Sequence, residues 1–167
     1  MQHNKTVIIG FGNILMGDEG IGVHIIHKLE TEYKNYKIEN IEFIDGGTSC
    51  MDVFLSLENN ISKLIIIDAV IGDKNPGYIY KFYYSELEKI QSTGINKISL
   101  HELNIIDALK SVKEIIQLPK KIIFFGIQPK DIKPQIGLSE ELKKKINNII
   151  KSVMMEVRND FYSTKIN

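Results

Sequence analysis

The sequence predicts an α/β protein with a parallel, or mostly parallel, sheet that carries helices on both sides. Three observations lead to this fold class. Short apolar stretches alternate with helical patterns along the chain, the first strand passes through a glycine-rich turn directly into a helix, and several strands are apolar almost throughout, as strands covered on both faces are. Sheets of this class bind their ligands beyond the carboxyl ends of the strands. Functional residues are therefore expected at those strand ends.

The composition predicts one domain that works by local recognition. The 167 residues are 43% hydrophobic and 25% charged, and we expect a single domain over 1–167 with a frayed tail at 161–167. Lys plus Arg and Asp plus Glu each total 21, so no net charge attracts nucleic acid or a membrane surface. The single cysteine, Cys50, excludes an internal disulfide and a multi-cysteine zinc site. With no signal peptide and no apolar run of about 20 residues, we expect a cytoplasmic protein.

The first strand, predicted at 6–11, ends in a turn that only partly matches a nucleotide site. The run G-F-G-N-I-L at 10–15 has leucine where the dinucleotide fingerprint G-x-G-x-x-G requires its third glycine. Asp18 and Glu19 stand at the start of the following helix, where they would repel a pyrophosphate. The lysine of a P-loop is also missing. We therefore expect no nucleotide here, and the acidic strand end suits a cation or a protonated group.

A helix is predicted from 19 to about 34, because apolar residues recur there at helical spacing and charged residues lie on the other side. Asp18 is placed to act as its N-cap. His24 and His27 are three residues apart and lie largely off the apolar stripe. We expect both histidines to be solvated surface residues and not metal ligands.

The next two strands each bring an acidic residue to their ends. A strand at 38–44 ends in the turn Asp45-Gly46-Gly47, which leads to a short helix at about 51–58. An apolar strand at 64–67 ends at Asp68, where a carboxylate close to the core needs a partner. A function is therefore favoured for Asp68, whereas Asp45 could also serve only to organise its turn.

The rest of the chain continues the alternation of strands and helices. A strand of mixed polarity at 78–84 is predicted at a sheet edge and could run antiparallel. A helix follows from about His101 to 112, and then a buried strand at 121–126. Ser139 begins a long final helix, whose lysines are expected to form a solvated face.

Four ionisable residues map to the carboxyl-end rim of the predicted sheet, namely Glu19, Asp45, Asp68 and His101. Two carboxylates and an imidazole suit a divalent transition metal better than magnesium, which rarely binds histidine. Alternatively, the acid pair could perform general acid–base catalysis by itself, or Glu19 could simply complement the helix dipole.

Cys50 is expected to be a small buried residue and not a nucleophile, because its loop has no activating feature.

Five stretches of the chain together resemble the hydrogenase maturation endopeptidases, the enzymes that trim the large subunit of nickel-iron hydrogenases. They are G-N-I-L-M-G-D-E-G-I-G at 12–22, D-G-G-T at 45–48, I-D-A at 67–69, S-L-H-E-L at 99–103 and G-I-Q-P at 126–129. The resemblance covers about 6–152 in order and spacing, and its first block is specific. It implies a three-layer α/β/α fold with a mostly parallel five-stranded sheet.

The resemblance also implies an activity and a set of site residues. Members of the family remove a short C-terminal peptide from the large-subunit precursor after nickel has been inserted. By motif, the metal-binding and catalytic residues of the family fall on Glu19, Asp68 and His101. Nickel is expected to arrive with the precursor, so the isolated protein should be largely metal-free. The implied substrate-binding residues are Asp45, Gly46, Gly47 and Gln128.

Two other functions fit parts of the pattern. A nickel-sensing maturation chaperone would use the same three ligands without cutting, and the absence of a mass loss after incubation with precursor would identify it. A nucleotide-binding regulator is disfavoured by Leu15 and by the acidic start of the helix. A titration with NAD would test that alternative.

Overall fold

The computed structural model describes the backbone of residues 5–33, 40–87 and 100–163, and the side chains of these ranges except 100–104 and 159–163. Within these ranges one sheet has five strands: β1 (Lys5–Phe11), β2 (Ile41–Gly47), β3 (Ile61–Ala69), β4 (Ile79–Tyr83) and β5 (Lys121–Ile127). Their order across the sheet is β2-β1-β3-β5-β4. All neighbours run parallel except β4, which pairs antiparallel with β5 at one edge. The predicted fold class, with its antiparallel edge strand, is confirmed.

The helices lie in two layers, one on each face of the sheet. Helices α1 (Ile21–Tyr33) and α4 (Glu140–Ser163) cover one face, and α2 (Cys50–Leu55) and α3 (Leu100–Val112) cover the other. Successive side chains of a strand point to opposite faces, so Ile8 packs with the first pair of helices whereas Val7 and Ile9 pack with the second. Because both faces are covered, the strand needs no polar positions, which accounts for its continuous apolar run.

Two strands extend past the apolar runs that predicted them. β2 includes the predicted turn, because Asp45 and Gly47 pair with β1. β3 continues through Asp68, which pairs with Gly126 of β5. Hydrophobicity marks burial, whereas strand length depends on backbone pairing, and polar residues and glycines can pair as well. The predicted strand positions 38–39 lie outside the described residues.

A short 3-10 turn, Asp18–Gly20, precedes α1, and the start of that helix lies very close to the sheet. A Cβ atom at Gly22 would be 2.4 Å from the carbonyl oxygen of Ile67, and one at Gly10 would be 2.1 Å from the carbonyl oxygen of Gly22. Only glycines permit this approach. In the dinucleotide fingerprint, close helix packing depends on a glycine at the position that Leu15 occupies here. In this chain Gly22 provides that packing.

The final helix is longer than its apolar pattern alone indicated. α4 continues through Ser163, so 161–163 are helical, and 164–167 lie outside the described residues. Its lysines are exposed, as predicted, at Lys143, Lys144, Lys145 and Lys151. Within the described ranges, no helix combines the length and the apolar character needed to cross a membrane.

Candidate active site

A cleft of about 140 Å³ opens at the carboxyl ends of the parallel strands. The structure brings Glu19 and Asp68 together in this cleft, as the strand-end argument predicted. A second cleft, of about 300 Å³, lies beside the N-terminus of α4 and contains neither of them. The residues that line the first cleft are Phe11, Gly12, Glu19, Gly47, Thr48, Cys50, Asp68 and Ile105.

Asp68 is the buried acid of the cleft. It lies near the end of β3 and is 9% exposed, and the backbone N–H of Ala69 donates a hydrogen bond to its Oδ1 atom at 2.8 Å. Burial raises the pKa of Asp68 from 3.8 to about 7; the Ala69 hydrogen bond opposes this rise, and the negative charge of Glu19 adds to it. Near neutral pH, Asp68 can therefore hold a proton or, once ionised, bind a cation.

Glu19 reaches the cleft from the 3-10 turn before α1. This turn lies against the end of β1, where Gly12 has a φ of 135° and a Cβ atom would be only 1.9 Å from the carbonyl oxygen of Glu19. A side chain at position 12 would push the turn away. Gly12 therefore helps to keep the Glu19 turn beside the strand end that carries Asp68, and two acids in one cleft favour a cation or a shared proton.

The prediction that Asp18 acts as an N-cap is wrong. Asp18 is 1% exposed and lies inside the 3-10 turn, which Gly17 precedes. Its carboxylate accepts hydrogen bonds from the backbone N–H groups of Lys130 and Ser139 and from the Ser139 hydroxyl. These partners are 112 and 121 residues away, so a local capping pattern could not identify them. Asp18 ties the turn that carries Glu19 to the segment between β5 and α4.

Asp45 is not among the residues that line the cleft, but its turn contributes Gly47 to the lining. The Asp45 side chain is 43% exposed, and its Oδ1 atom accepts a hydrogen bond from the Gly47 N–H at 2.9 Å. Asp45 thus organises its own turn, which is one of the two roles that the sequence left open. Gly46 is buried, and a Cβ atom there would be 2.4 Å from the ring of Phe11. The substrate-binding roles of Asp45, Gly46 and Gly47 stay predictions.

Helix α1 places a histidine against this turn. His27 is exposed, as predicted, but its Nε2 atom lies 2.7 Å from Oδ2 of Asp45. The prediction that His24 is solvated is wrong, because it is half-buried and its Nε2 atom has no hydrogen-bond partner in the described part of the chain. Burial and the neighbouring His27 lower the pKa of His24, against the opposing charge of Asp18. Helical spacing identifies the face of a helix but not the strand across from it, so the sequence could not show these contacts.

His101 lies in the first turn of α3, and its side chain is outside the described residues. Ile105, four residues further along the helix, lines the cleft. Among the side chains that the structure describes, no group of three or more His, Cys, Asp or Glu residues could hold a metal ion. A metal site formed by Glu19, Asp68 and His101 therefore stays a prediction.

Gln128 is not among the residues that line the cleft. It is buried just after β5, and its Oε1 atom accepts hydrogen bonds from the Tyr80 hydroxyl and from the Gly72 N–H, both at 2.9 Å. These bonds hold the loop between β3 and β4 against the end of β5. The structure thus gives Gln128 a part in loop packing, and its role in substrate binding stays a prediction.

Cys50, at the start of α2, is half-buried in the wall of the cleft. Burial raises the pKa of its thiol above the ordinary value of 9.0, although backbone hydrogen bonds oppose the rise. The thiol is therefore protonated at neutral pH, whereas a nucleophilic cysteine needs the thiolate. This agrees with the prediction that Cys50 is not a nucleophile.

Comparison with known proteins gives one consistent family. The family model of the hydrogenase maturation proteases, HycI, matches residues 23–156. The hydrogenase 2 maturation protease of Escherichia coli strain K12 is 33% identical over 155 residues, which are 92% of this chain and 91% of that protein. The coenzyme F420 hydrogenase subunit delta of Methanothermobacter thermautotrophicus is 30% identical over 158 residues, which are 92% of this chain and 94% of that subunit.

Solved structures agree with the sequence comparisons. The hydrogenase maturating endopeptidase HybD from E. coli superposes with a TM-score of 0.74 at 31% identity, over 93% of each chain. The [NiFe] hydrogenase maturation protease HybD from Thermococcus kodakarensis superposes with a TM-score of 0.73 over 90% of this chain and 97% of that one. At 24% identity, the second likeness supports the fold alone.

Proposed function

Because the chain belongs to the hydrogenase maturation protease family, we propose that it removes the C-terminal peptide from the large-subunit precursor of a nickel-iron hydrogenase after nickel has been inserted. One observation carries the proposal: Glu19 and Asp68 line the same cleft at the carboxyl ends of the parallel strands. Two acids in one cleft can bind a cation or move a proton. His101 is the third member of the set by the family motif, and it lies one helical turn before Ile105 of the cleft wall.

The donor set suits a cation that the substrate supplies. Burial is the main cause of the raised pKa of Asp68 and the negative charge of Glu19 adds to it, so a cation in the cleft would stabilise the ionised form of Asp68. Two carboxylates and an imidazole, without thiolates, form an open and weak site. We therefore assign the nickel to the precursor, as part of the substrate, and we expect the isolated enzyme to be largely metal-free.

This arrangement makes cleavage conditional on nickel insertion. A precursor without nickel would lack the cation onto which the acidic side chains dock, and its tail would not be held in register. When bound, the ion could orient the tail, polarise the scissile carbonyl or lower the pKa of an attacking water. Water is the proposed attacking group, because the thiol of Cys50 in the cleft wall is protonated.

The decisive experiment offers nickel-loaded and nickel-free precursor to enzyme that has been stripped with a chelator. We expect only the loaded precursor to lose its C-terminal peptide, and mass spectrometry measures that loss. Equal cleavage of both forms would overturn nickel recognition. Cleavage of neither form would overturn the protease assignment and would favour a non-cleaving, nickel-sensing chaperone.

A further inference from the structure

The contact between His27 and Asp45 joins helix α1 to the end of strand β2. The Nε2 atom of His27 lies 2.7 Å from Oδ2 of Asp45, and the two side chains are 51% and 43% exposed. Both side chains therefore face solvent, and Gly47, two residues after Asp45, lines the cleft. The contact does not belong to the acid pair inside the cleft, and the chemistry proposed above does not use it.

The two carboxylate oxygens of Asp45 are held from opposite sides. The Gly47 N–H donates to Oδ1 at 2.9 Å, whereas His27 contacts Oδ2. The hydrogen bond from the Gly47 N–H fixes the backbone of the turn. The contact with His27 fixes the Asp45 side chain against helix α1. Each carboxylate oxygen has more than one acceptor position, so Asp45 can still accept a hydrogen bond from a substrate N–H.

The same turn continues directly to the Glu19 side of the cleft. The carbonyl oxygen of Gly47 accepts a hydrogen bond from the Gly12 N–H at 2.8 Å, and Gly12 lies against the backbone of Glu19. Glu19 in turn precedes helix α1, on which His27 lies about two helical turns further along. The Gly12 contacts next to Glu19 and the His27 contact on α1 therefore together fix the position of the Asp45 turn relative to Glu19 and Asp68.

We propose that His27 is a positioning residue for Asp45, and that it sets the affinity for the precursor without taking part in peptide hydrolysis. The proposal rests on the proposed function together with the substrate-binding role that the family resemblance implies for the Asp45 turn. An exposed carboxylate that is free to change rotamer must be ordered when a peptide binds, and this ordering lowers affinity. His27 orders the Asp45 carboxylate before the substrate arrives, so the bound complex does not lose that side-chain entropy.

The chemistry of the contact predicts how different side chains at position 27 behave. Histidine donates from Nε2 either as the neutral tautomer with hydrogen on that atom or as the cation. In the described structure Asp45 on β2 contacts His27, and the half-buried His24 lies near it on the same helix. Glutamine retains a neutral donor, alanine has none, and glutamate places a second negative charge beside Asp45.

The test measures KM and kcat of precursor cleavage for His27→Ala, His27→Gln and His27→Glu. We expect His27→Ala to raise KM about 2- to 10-fold, the effect of one side chain that must be ordered on binding, and to leave kcat within about twofold. His27→Gln should restore most of the loss, and His27→Glu should raise KM more than alanine does. The matched control is Glu30→Ala, an exposed position on the same helix.

The route through Asp45 is tested by combining variants. In an Asp45→Asn background, His27→Ala should add little to KM, because the carboxylate that it positions is gone. An undiminished effect in that background would overturn the proposal, as would a KM for His27→Ala equal to that of Glu30→Ala. A loss confined to kcat would also contradict it, because that result would place His27 in the chemical step.

Failure of the proposed function has a different signature. If the parent enzyme leaves nickel-loaded precursor uncut, the protease assignment fails, whatever the His27 variants do. Calorimetry with the uncut precursor then decides the role of His27 directly. Weaker binding to His27→Ala than to Glu30→Ala would support positioning, and equal binding would refute it.

Discussion

Ser139 binds the Asp18 carboxylate with both its backbone and its side chain. Its N–H donates to Oδ1 of Asp18 at 2.7 Å, and its hydroxyl donates to Oδ2 at 2.8 Å. The same hydroxyl accepts a hydrogen bond from the Leu142 N–H at 3.3 Å, so Ser139 also caps helix α4. The turn before α1 and the start of α4 are thus held by one buried carboxylate.

Replacing Asp18 should therefore destabilise the fold. Asp18→Ala leaves the partly buried N–H groups of Ser139 and Lys130 without their acceptor, and we expect the free energy of unfolding to fall by about 2–4 kcal/mol. Urea unfolding followed by circular dichroism measures the change. The control is Asp131→Asn, whose exposed side chain should alter stability by less than about 0.5 kcal/mol. Equal stability of the two variants would contradict the structural role of Asp18.

The raised pKa of Asp68 predicts how stability depends on pH. The pKa of Asp68 is about 7 in the folded protein and 3.8 as its ordinary value, so between these values the folded state binds more protons than the unfolded state. The destabilisation from Asp68 is therefore absent below about pH 4, grows as the pH rises and is complete above about pH 7, where it reaches roughly 4 kcal/mol.

Asp68→Asn should escape this dependence, because its amide is neutral at every pH and its oxygen can still accept the Ala69 N–H. The free energy of unfolding of Asp68→Asn minus that of the parent should increase by about 2–3 kcal/mol between pH 5 and pH 8. Urea unfolding at the two pH values measures this growth, with the exposed Asp73→Asn as the control. A constant difference would show that Asp68 does not titrate in this range.

The two glycines after Asp45 should differ in their tolerance of a methyl group. In Gly46→Ala the new Cβ would meet the Phe11 ring at 2.4 Å, and that ring packs edge-on against Phe54 at 5.6 Å between centroids. We expect a loss of about 2–3 kcal/mol from overpacking. Gly47→Ala enters open space and costs only the strain of a φ of 50°, about 1 kcal/mol. Urea midpoints of the two variants compare these costs, and the reverse order would refute the packing argument.

The sequence was most informative where a residue's place follows from the direction of its strand. Glu19 and Asp68 could be paired in advance, because parallel strands end at one edge and a carboxylate after an apolar strand is costly without a function. The placement of helices on both faces of the sheet could also be predicted, because strands covered on both faces are apolar throughout. By contrast, the Asp18–Ser139 and His27–Asp45 contacts join positions that no local pattern relates. They depend on how a loop or a strand passes a helix, which hydrophobic spacing does not encode.

Loss of an acidic or imidazole group from the proposed site should remove processing without unfolding the protein. We expect Glu19→Gln, Asp68→Asn and His101→Ala each to abolish most precursor cleavage, because each removes a group from the sheet rim and none from the hydrophobic core. Precursor cleavage on a gel and circular dichroism are measured on the same samples. Glu30→Gln, which makes the same change on the exposed face of α1, should cleave normally. Unimpaired cleavage by Asp68→Asn would remove that residue from the site.

Asp45 should differ from these three residues in its effect on nickel. It is not among the residues that line the cleft, and its oxygens contact the Gly47 N–H and His27. A cation between Glu19 and Asp68 would therefore gain little from it. Asp45→Asn keeps the size of the side chain but loses its charge, and we expect weaker precursor binding with nickel affinity close to that of the parent. Calorimetry with a nickel salt, and then with precursor, separates the two effects, and a variant that no longer binds nickel would make Asp45 a ligand.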